Sequence, residues 1–494
     1  MTDALPDFVA PSPTSPASPV APLAPADSPI ASLVDDAVAL AGQWASIEDM
    51  SSNKDAGSPQ RGAKKAQSGK RSASNSDAER LGKLVSDPAG LALAVGFVDD
   101  VARPQDTRVA AKALARLGSQ AGAASFLSPV DRTLFRLGAL AAPLAPAVVV
   151  PAARMRLKQL VGHLVADAGS GLGKHLARTR EEGYALNVNL LGEAVLGADE
   201  AAARLGRTVD LVKRPDVDYV SIKVSSVAAQ LVTWDLEGSK QRVVDELLPL
   251  YRAARDHGVF LNLDMEEYRD LALTCAVFTD ILGRDEFHDL EAGIVLQAYL
   301  PDAVGALDAL TDFAQARVAA GGARIKVRLV KGANLAMETV EAQLHDWNLA
   351  TYTNKPDVDA NYLRFLDRAL DPQRTAAVRI GVASHNLFHV ALAVLVARVR
   401  GVGEGMDIEM LQGMAPAQAA AVRAEVAADG GRVVLYTPAV RDEDFDVAIS
   451  YLVRRLEENA APQNYLHAQF AGGAPAISSQ EAAFRAAVTA AVPF

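Results

Sequence analysis

The sequence predicts an α/β fold: a (β/α)8 TIM-type barrel, preceded by an α-helical arm or domain and a disordered N-terminal tail. Two observations carry this. The segments 184–191, 218–226, 259–266, 292–299, 324–331, 378–385, 407–412 and 432–438 read as strands, and amphipathic helical runs such as Lys240–His257 and Asp302–Ala320 separate most of them. Eight β-then-α units over about 275 residues also match the size of such a barrel. A doubly wound open sheet is the rival, but it usually carries a glycine fingerprint after its first strand, and no G-x-G-x-x-G follows 184–191.

Residues 1–75 are expected to be a disordered tail, since 1–29 are rich in Pro, Ala and Ser and cannot build a core. Within it Ile30, Leu33, Val34, Ala37, Val38, Leu40, Ala41 and Trp44 follow helical spacing. That predicts one amphipathic helix over 30–47, able to dock on the body or on a partner. Residues 48–75 are a Ser/Gly/Lys linker. Its cations Lys54, Arg61, Lys64, Lys65, Lys70 and Arg71 read as solvated, and no specific nucleic-acid binding is expected. Residues 76–180 are predicted to form an α-helical domain, opened by a capping box at Ser76 and Glu79. Its uncharged stretch Leu137–Ala153 contains Pro143, Pro146 and Pro151 and is short of the ~20 apolar residues of a bilayer crossing, so it is expected to be buried. The barrel occupies 181–470, and 471–494 is a C-terminal extension.

A chain of 494 residues is too long for one ordinary core. Its net charge of −11 argues against a nucleic-acid surface over the whole protein. Cys275 is the only cysteine, which excludes disulfides within the chain and thiolate zinc sites and fits a reducing cytoplasm. No secretory signal is visible.

Barrel enzymes place their chemistry at the C-terminal ends of the strands. Here those ends offer Glu193, Lys223, Asp264 with Met265, Gln297, Arg328 with Lys331, Ser384-His385-Asn386, Gln412 and Tyr436. A helix containing Tyr451, Arg454, Arg455 and Glu458 follows the last strand. Each has a bland reading: Lys223 as a half-buried strand lysine, Asp264 as a helix cap, the two arginines as surface partners of Glu458. Recurrence weakens these readings, because a polar or ionisable group closes nearly every strand. In RIKVRLVKGAN (324–334) the strand delivers Arg328 inward and breaks at Gly332 straight after Lys331, a shape suited to an anionic or phosphate-bearing ligand. Arg454 and Arg455 point about 100° apart and can grip a carboxylate from two sides. With rings from Tyr436 and Tyr451, the implied substrate is small, apolar in body and carboxylated. His385 and His389 have the i, i+4 spacing of a zinc pair, but His385 precedes any helix, and strand alternation sends Glu266 and Glu267 to different faces. No metal site is expected.

VSIKVSS, LNLDMEE, IVLQAY, RLVKGA, ASHN and YLVRRLEEN occur in this order. Together they resemble the proline dehydrogenase domain of the proline utilization A family, over roughly residues 76–470. The resemblance implies FAD as cofactor and oxidation of L-proline to 1-pyrroline-5-carboxylate by hydride transfer to flavin N5. It implies that Asp264 and Arg328 are catalytic, with Arg328 near the N5 edge. By the same likeness Lys223, Arg454 and Arg455 bind the proline carboxylate, and Tyr436 and Tyr451 line the pocket. Glu193 pairs with an arginine to gate the site, and Glu458 offsets part of its charge. Met265, Gln297, Val330, Lys331, Gly332, Ala333, Ser384, His385 and Gln412 contact FAD, and Thr353 with Lys355 holds its phosphates. Asn334 stands where several relatives have an aromatic residue, so packing there is expected to differ.

The family implies a membrane quinone as acceptor and a cytoplasmic enzyme, peripheral at the inner face of the membrane. Bifunctional members continue into an aldehyde dehydrogenase domain that this sequence stops short of. Only the first step is therefore expected, with an aldehyde dehydrogenase as a partner or as a missing C-terminal domain; a homo-oligomer is left open. Two rivals stand beside this reading: another flavin-dependent barrel oxidoreductase, and a non-catalytic regulator acting through the basic N-terminal linker.

Overall fold

The computed structural model describes residues 28–53, 84, 87–122, 124–161, 164–192, 195, 197–232, 234–441, 448, 451–452, 455, 458–471 and 473–491. Its strands are β1 (Ala166–Asp167), β2 (Ala185–Leu190), β3 (Tyr219–Lys223), β4 (Phe260–Asp264), β5 (Ala292–Gln297), β6 (Ile325–Val330), β7 (Val378–Ala383), β8 (Met406–Leu411) and β9 (Arg432–Val440). All pair in parallel, in the order β1-β9-β2-β3-β4-β5-β6-β7-β8, and β8 also pairs with β9. The strands β2 to β9 thus close into the expected barrel. The two-residue β1, too short to show a pattern, lies against the C-terminal end of β9.

Strand alternation sorts the residues. Ile325, Val327 and Leu329 join the apolar core. Lys326 and Arg328 point the other way, into the barrel, and meet side chains of β4 and β8. The predicted strand 218–226 stops at Lys223. The Ser226 hydroxyl donates to the Lys223 carbonyl at 2.9 Å and the chain turns over Val224–Val227, because short hydroxyl side chains offer the backbone an alternative to the ladder.

Crossover helices surround the barrel, among them α6 (Leu172–Glu181) ahead of β2, α7 (Ala198–Val212), α8 (Leu236–His257), α9 (Leu271–Leu282), α10 (Ala303–Ala319), α11 (Leu335–His345), α12 (Lys355–Ala369), α13 (Leu387–Arg400) and α14 (Pro416–Val426). Cys275 lies fully buried in α9, where burial pushes its thiol up to about 12. The predicted N-terminal helix runs over Val34–Asn53 (α1) and docks on the body, against α13 and α14, through buried Ile30, Ala37, Ala41 and Trp44. At the other end α15 (Tyr465–Ala471) and α16 (Gly473–Ala491) return to the barrel, where Phe484 stacks on Phe388 with ring centres 5.6 Å apart. The anticipated capping box at Ser76 and Glu79 lies outside the described residues.

The helical domain has its own core of Leu93, Phe97, Val101, Leu114, Leu117 and Val150. It contains α2 (Pro88–Phe97), α3 (Thr107–Leu117), α4 (Pro129–Ala141) and α5 (Pro146–Val161), with Asp87, Asp106 and Ser128 capping α2, α3 and α4. The expectation that Leu137–Ala153 is buried is corrected. The α4–α5 hairpin turns its inner face to that small core, and Leu137, Leu140, Leu144 and Val148 stand exposed, Leu144 by 88%. One thin helical layer has only one face to bury. No described helix is long and apolar enough to cross a membrane.

Candidate active site at the strand ends

The centre of the barrel mouth is built by three strands. Arg328 on β6 donates from Nη2 to Asp264 Oδ1 on β4 at 2.6 Å. Tyr436 on β9 donates its hydroxyl to Asp264 Oδ2 at 3.1 Å, and the Arg328 guanidinium lies 5.2 Å from the Tyr436 ring centre. Asn262 adds a bond to Asp264 Oδ1 at 2.8 Å, and Asn189 bonds the Tyr436 hydroxyl. Asp264 is therefore a buried acceptor between strands, not a helix cap. Burial works against the charge of Arg328, but Asp264 and then Glu409 outweigh it and hold the guanidinium cationic. Burial, reinforced by Asp264, raises the Tyr436 phenol far above its ordinary range, so it stays a donor at neutral pH.

Around this centre stand the other cations. Lys223 closes β3 and meets Glu266 at 2.6 Å. Arg455 is half-buried, pairs with Glu458 at 2.5 Å and lies 5.6 Å from the Tyr451 ring centre. Its charge is also felt by Tyr436 and Glu266, which places it in the same neighbourhood. Arg454 and Glu193 lie outside the described residues.

A second group lines the neighbouring rim. Gln297, at the end of β5, donates to the carbonyls of Met265 and Glu266 at 3.1 and 3.3 Å. This leaves its buried Oε1 without a partner among the described residues. The His385 Nε2 accepts from the Leu411 backbone N–H at 2.9 Å, so the ring proton of the neutral imidazole sits on Nδ1. That Nδ1 is buried and likewise has no partner among the described residues. Burial pulls His385 down to about 4, which keeps it neutral. Ser384 accepts from the Asn386 N–H at 3.0 Å. Gln412 accepts from Thr437 at 2.8 Å and meets His175 of α6.

Lys331 and Lys355 both pair with Asp359, Lys331 at 2.5 Å, beside the N-terminus of α12. Gly332 has a φ of +108°, and a Cβ there would lie 2.4 Å from the Tyr299 ring. Only glycine allows this turn. Backbone bonds tie the bend down, Ala298 N–H to Val330 O and Tyr299 N–H to Lys331 O, each at 2.8 Å. Ala333 and Thr353 are exposed, and Asn334 donates to the Glu266 carbonyl at 3.1 Å. His389 is fully buried and stacks on Tyr362. Among the described residues no group of His, Cys, Asp or Glu is arranged to hold a metal ion.

Sequence reasoning missed Lys326, Asp407 and Glu409, a buried charge cluster below Arg328. It also missed Asp359, the shared partner of the two lysines. The available signal was parity: Lys326 shares a strand face with Arg328, and Asp407 shares one with Glu409.

The proline dehydrogenase family model matches residues 172–468. A proline dehydrogenase of Deinococcus radiodurans is 28% identical over 288 residues, covering 57% of this chain and 80% of its own. The bifunctional protein PutA of Salmonella typhimurium is 26% identical over 359 residues, covering 68% of this chain and 26% of its own. Among solved structures, proline utilization A from Corynebacterium freiburgense superposes with a TM-score of 0.62 at 55% identity, covering 68% of this chain and 33% of that one. The Bdellovibrio bacteriovorus protein, inactivated by N-propargylglycine, gives 0.66 at 25% identity, covering 89% and 44%. This chain thus spans a quarter to under half of the bifunctional relatives' length. The barrel, its strand-end motifs and the match over residues 172–468 agree: the chain belongs to the proline dehydrogenase family, whose reaction, the oxidation of proline, is the first step of proline catabolism.

Proposed function

We propose that this protein oxidises L-proline to 1-pyrroline-5-carboxylate with FAD as cofactor. The observation that carries this reading is the buried Arg328–Asp264 pair bonded to the half-buried Tyr436, with Arg455 and Lys223 beside it. It unites anion-binding cations with aromatic walls at the end of a barrel where substrates bind. The carboxylate of proline would displace Glu458 from Arg455 and Glu266 from Lys223, with Arg454 as a further donor and Glu193 as a gate. Tyr436 and Tyr451 would pack the pyrrolidine ring. A cationic pocket disfavours the ammonium form, so the ring nitrogen binds as the free amine and its proton is left to solvent. Asp264 fixes Arg328 and Tyr436 against each other, which orients the pocket before substrate arrives.

The residues present fit FAD. Gln297 Oε1 is a buried acceptor and His385 Nδ1–H a buried donor, both without a partner among the described residues. The Val330–Ala333 bend can bring backbone close to a ligand. Lys331 and Lys355 at the start of α12 suit a pyrophosphate, with Thr353 beside them. Met265, Ser384 and Gln412 complete the proposed lining. When bound, the flavin would supply a two-electron acceptor, with Arg328 as the cation proposed to face it.

We place the onward acceptor in the membrane, as a quinone reached from the cytoplasmic side. The exposed apolar face of the α4–α5 hairpin supports this: Leu137, Leu140, Leu144 and Val148 stand out from it, and the same hairpin exposes Arg136. The product would pass to an aldehyde dehydrogenase of the kind found in the bifunctional relatives.

An anaerobic absorption spectrum before and after adding L-proline tests the reading. Flavin bands that bleach support it. Flavin bands that stay unchanged remove proline as the substrate, and protein that stays colourless after added FAD removes the cofactor.

A further inference from the structure

The barrel holds a second layer of charge that the reading above leaves unused. Lys326 Nζ lies 2.7 Å from Asp407 Oδ2 and 2.6 Å from Glu409 Oε1. Asp407 has cations to spare, with Arg379 at 2.7 Å and Arg432 at 2.9 Å. Glu409 instead reaches upward, its Oε2 facing Arg328 Nη1 at 3.6 Å. Arg328 therefore sits between two carboxylates, Asp264 and Glu409. The side chains of Lys326, Asp407 and Glu409 are 1%, 0% and 2% exposed.

Such a layer is poorly explained by stability. Barrel interiors are usually filled with branched apolar side chains. Buried ion pairs can often be replaced by apolar residues without loss, so their presence alone argues for some other use. The neighbouring strand makes room for the pair: a Cβ on Gly381 would come within 2.5 Å of Glu409 Oε1 and 2.9 Å of Lys326 Cε. Three strands thus cooperate to hold one carboxylate under Arg328.

We propose that Glu409, braced by Lys326 and given room by Gly381, is a positioning residue that holds Arg328 in place and sets how much of its positive charge the flavin feels. The inference rests on the FAD reading. A negative charge below Arg328 offsets its field in a region of low dielectric, where charges act strongly. Neutralising Glu409 leaves Arg328 and Lys326 less compensated and favours the reduced, anionic flavin. Neutralising Lys326 leaves Glu409 less compensated and has the opposite effect.

The test is the flavin midpoint of the holoenzyme, equilibrated anaerobically with a two-electron reference dye, for wild type, Glu409→Gln and Lys326→Gln. Glu409→Gln keeps the size of the side chain. It is expected to move the flavin–dye equilibrium about tenfold towards reduced flavin, or about 30 mV for a two-electron couple. The KM for proline should stay within about threefold, since Arg455 and Lys223 are untouched. Lys326→Gln should move the equilibrium the other way. If that variant does not fold, Glu409→Asp serves, with an expected midpoint closer to wild type than Glu409→Gln. Equal midpoints in wild type and Glu409→Gln, or shifts of one sign for both charge removals, would overturn the inference, because mere loosening of the barrel has no reason to reverse sign. A folded Glu409→Gln protein that cannot keep FAD would also overturn it. Wild-type protein that never binds flavin would instead sink the FAD reading, and this inference with it.

Discussion

Replacing Asp264 by Asn keeps the shape of the side chain and removes its charge. In the structure this carboxylate accepts from Arg328 at 2.6 Å, from Asn262 at 2.8 Å and from Tyr436 at 3.1 Å. An amide can keep the Arg328 and Asn262 bonds on its one oxygen, and then its NH2 faces the Tyr436 hydroxyl. That hydroxyl already takes a bond from Asn189, so it must reorient or lose a partner. Breaking a buried ion pair outright costs about 3–5 kcal/mol, but Glu409 still faces Arg328 and the amide still accepts. The loss is better taken as that of a charged hydrogen bond, about 2–3 kcal/mol. At about 1.4 kcal/mol per tenfold, kcat/KM for L-proline should fall about 30- to 150-fold. Most of the loss should lie in kcat, since the cations that hold the carboxylate remain. The melting temperature should fall by roughly 4–10 °C. The assays are anaerobic steady-state turnover with an artificial acceptor and a thermal melt, both at matched flavin content. A variant with kcat/KM within threefold of wild type would show that Asp264 does not organise the site.

Arg455→Met should raise the proline KM about 10- to 100-fold while FAD content is unchanged, since the side chain lies by Tyr451 and Glu458 rather than on the rim proposed for the flavin; an unmoved KM, read from steady-state kinetics, removes it from carboxylate binding. Gly332→Ala forces a left-handed φ and drives a methyl into the Tyr299 ring, so stability should fall by about 2–4 kcal/mol and FAD should bind more weakly. Urea unfolding and flavin titration check this, and wild-type values in both would refute the bend's role. Asp270 is raised to about 7, by burial first and then by Glu267. Its folded pKa exceeds the unfolded one, so the favourable contribution of the protonated group is present below about pH 4 and is lost as pH rises through 7. Asp270→Asn should therefore be more stable than wild type at pH 8, by about 2 kcal/mol after allowing for partial exposure, and no more stable at pH 4. Equal urea midpoints at pH 8 would contradict this.

The strands were legible because each carries a continuous apolar face, Val-Ile in VSIKVSS or Leu-Leu in LNLDMEE, that has to meet the helix layer. Their ends were legible because polar residues there serve no packing purpose. Helix α1 begins about a turn later than the apolar spacing predicts, since spacing alone does not mark where the first helical hydrogen bond forms. The α4–α5 face is exposed where the sequence predicts burial for a physical reason: an uncharged run says that a segment avoids charge, not that something in the same chain covers it.

The charge inside the barrel is the more instructive miss. Lys326 and Asp407 are 81 residues apart, so no local pattern pairs them. What was available is the parity of each strand taken with its end residue. Asn187 and Asn189, Ser221 and Lys223, Asn262 and Asp264, Lys326 and Arg328, and Asp407 and Glu409 each occupy alternate positions of one strand. If the strand-end residue faces the mouth, its i−2 neighbour must face the barrel interior as well, because the side-chain period is two. Closure then forces these inward polar residues together, whatever their distance in sequence. The cations among them need carboxylates within reach, and the register brings them there: Leu263 pairs with Ile294 and Ile294 with Val327, which sets the next residues Asp264 and Arg328 side by side, while the bare Gly381 between β6 and β8 lets Lys326 and Arg328 reach across to Asp407 and Glu409. A polar inward face on five strands of a closed barrel is thus itself evidence of a charge network, readable once closure is accepted and invisible strand by strand.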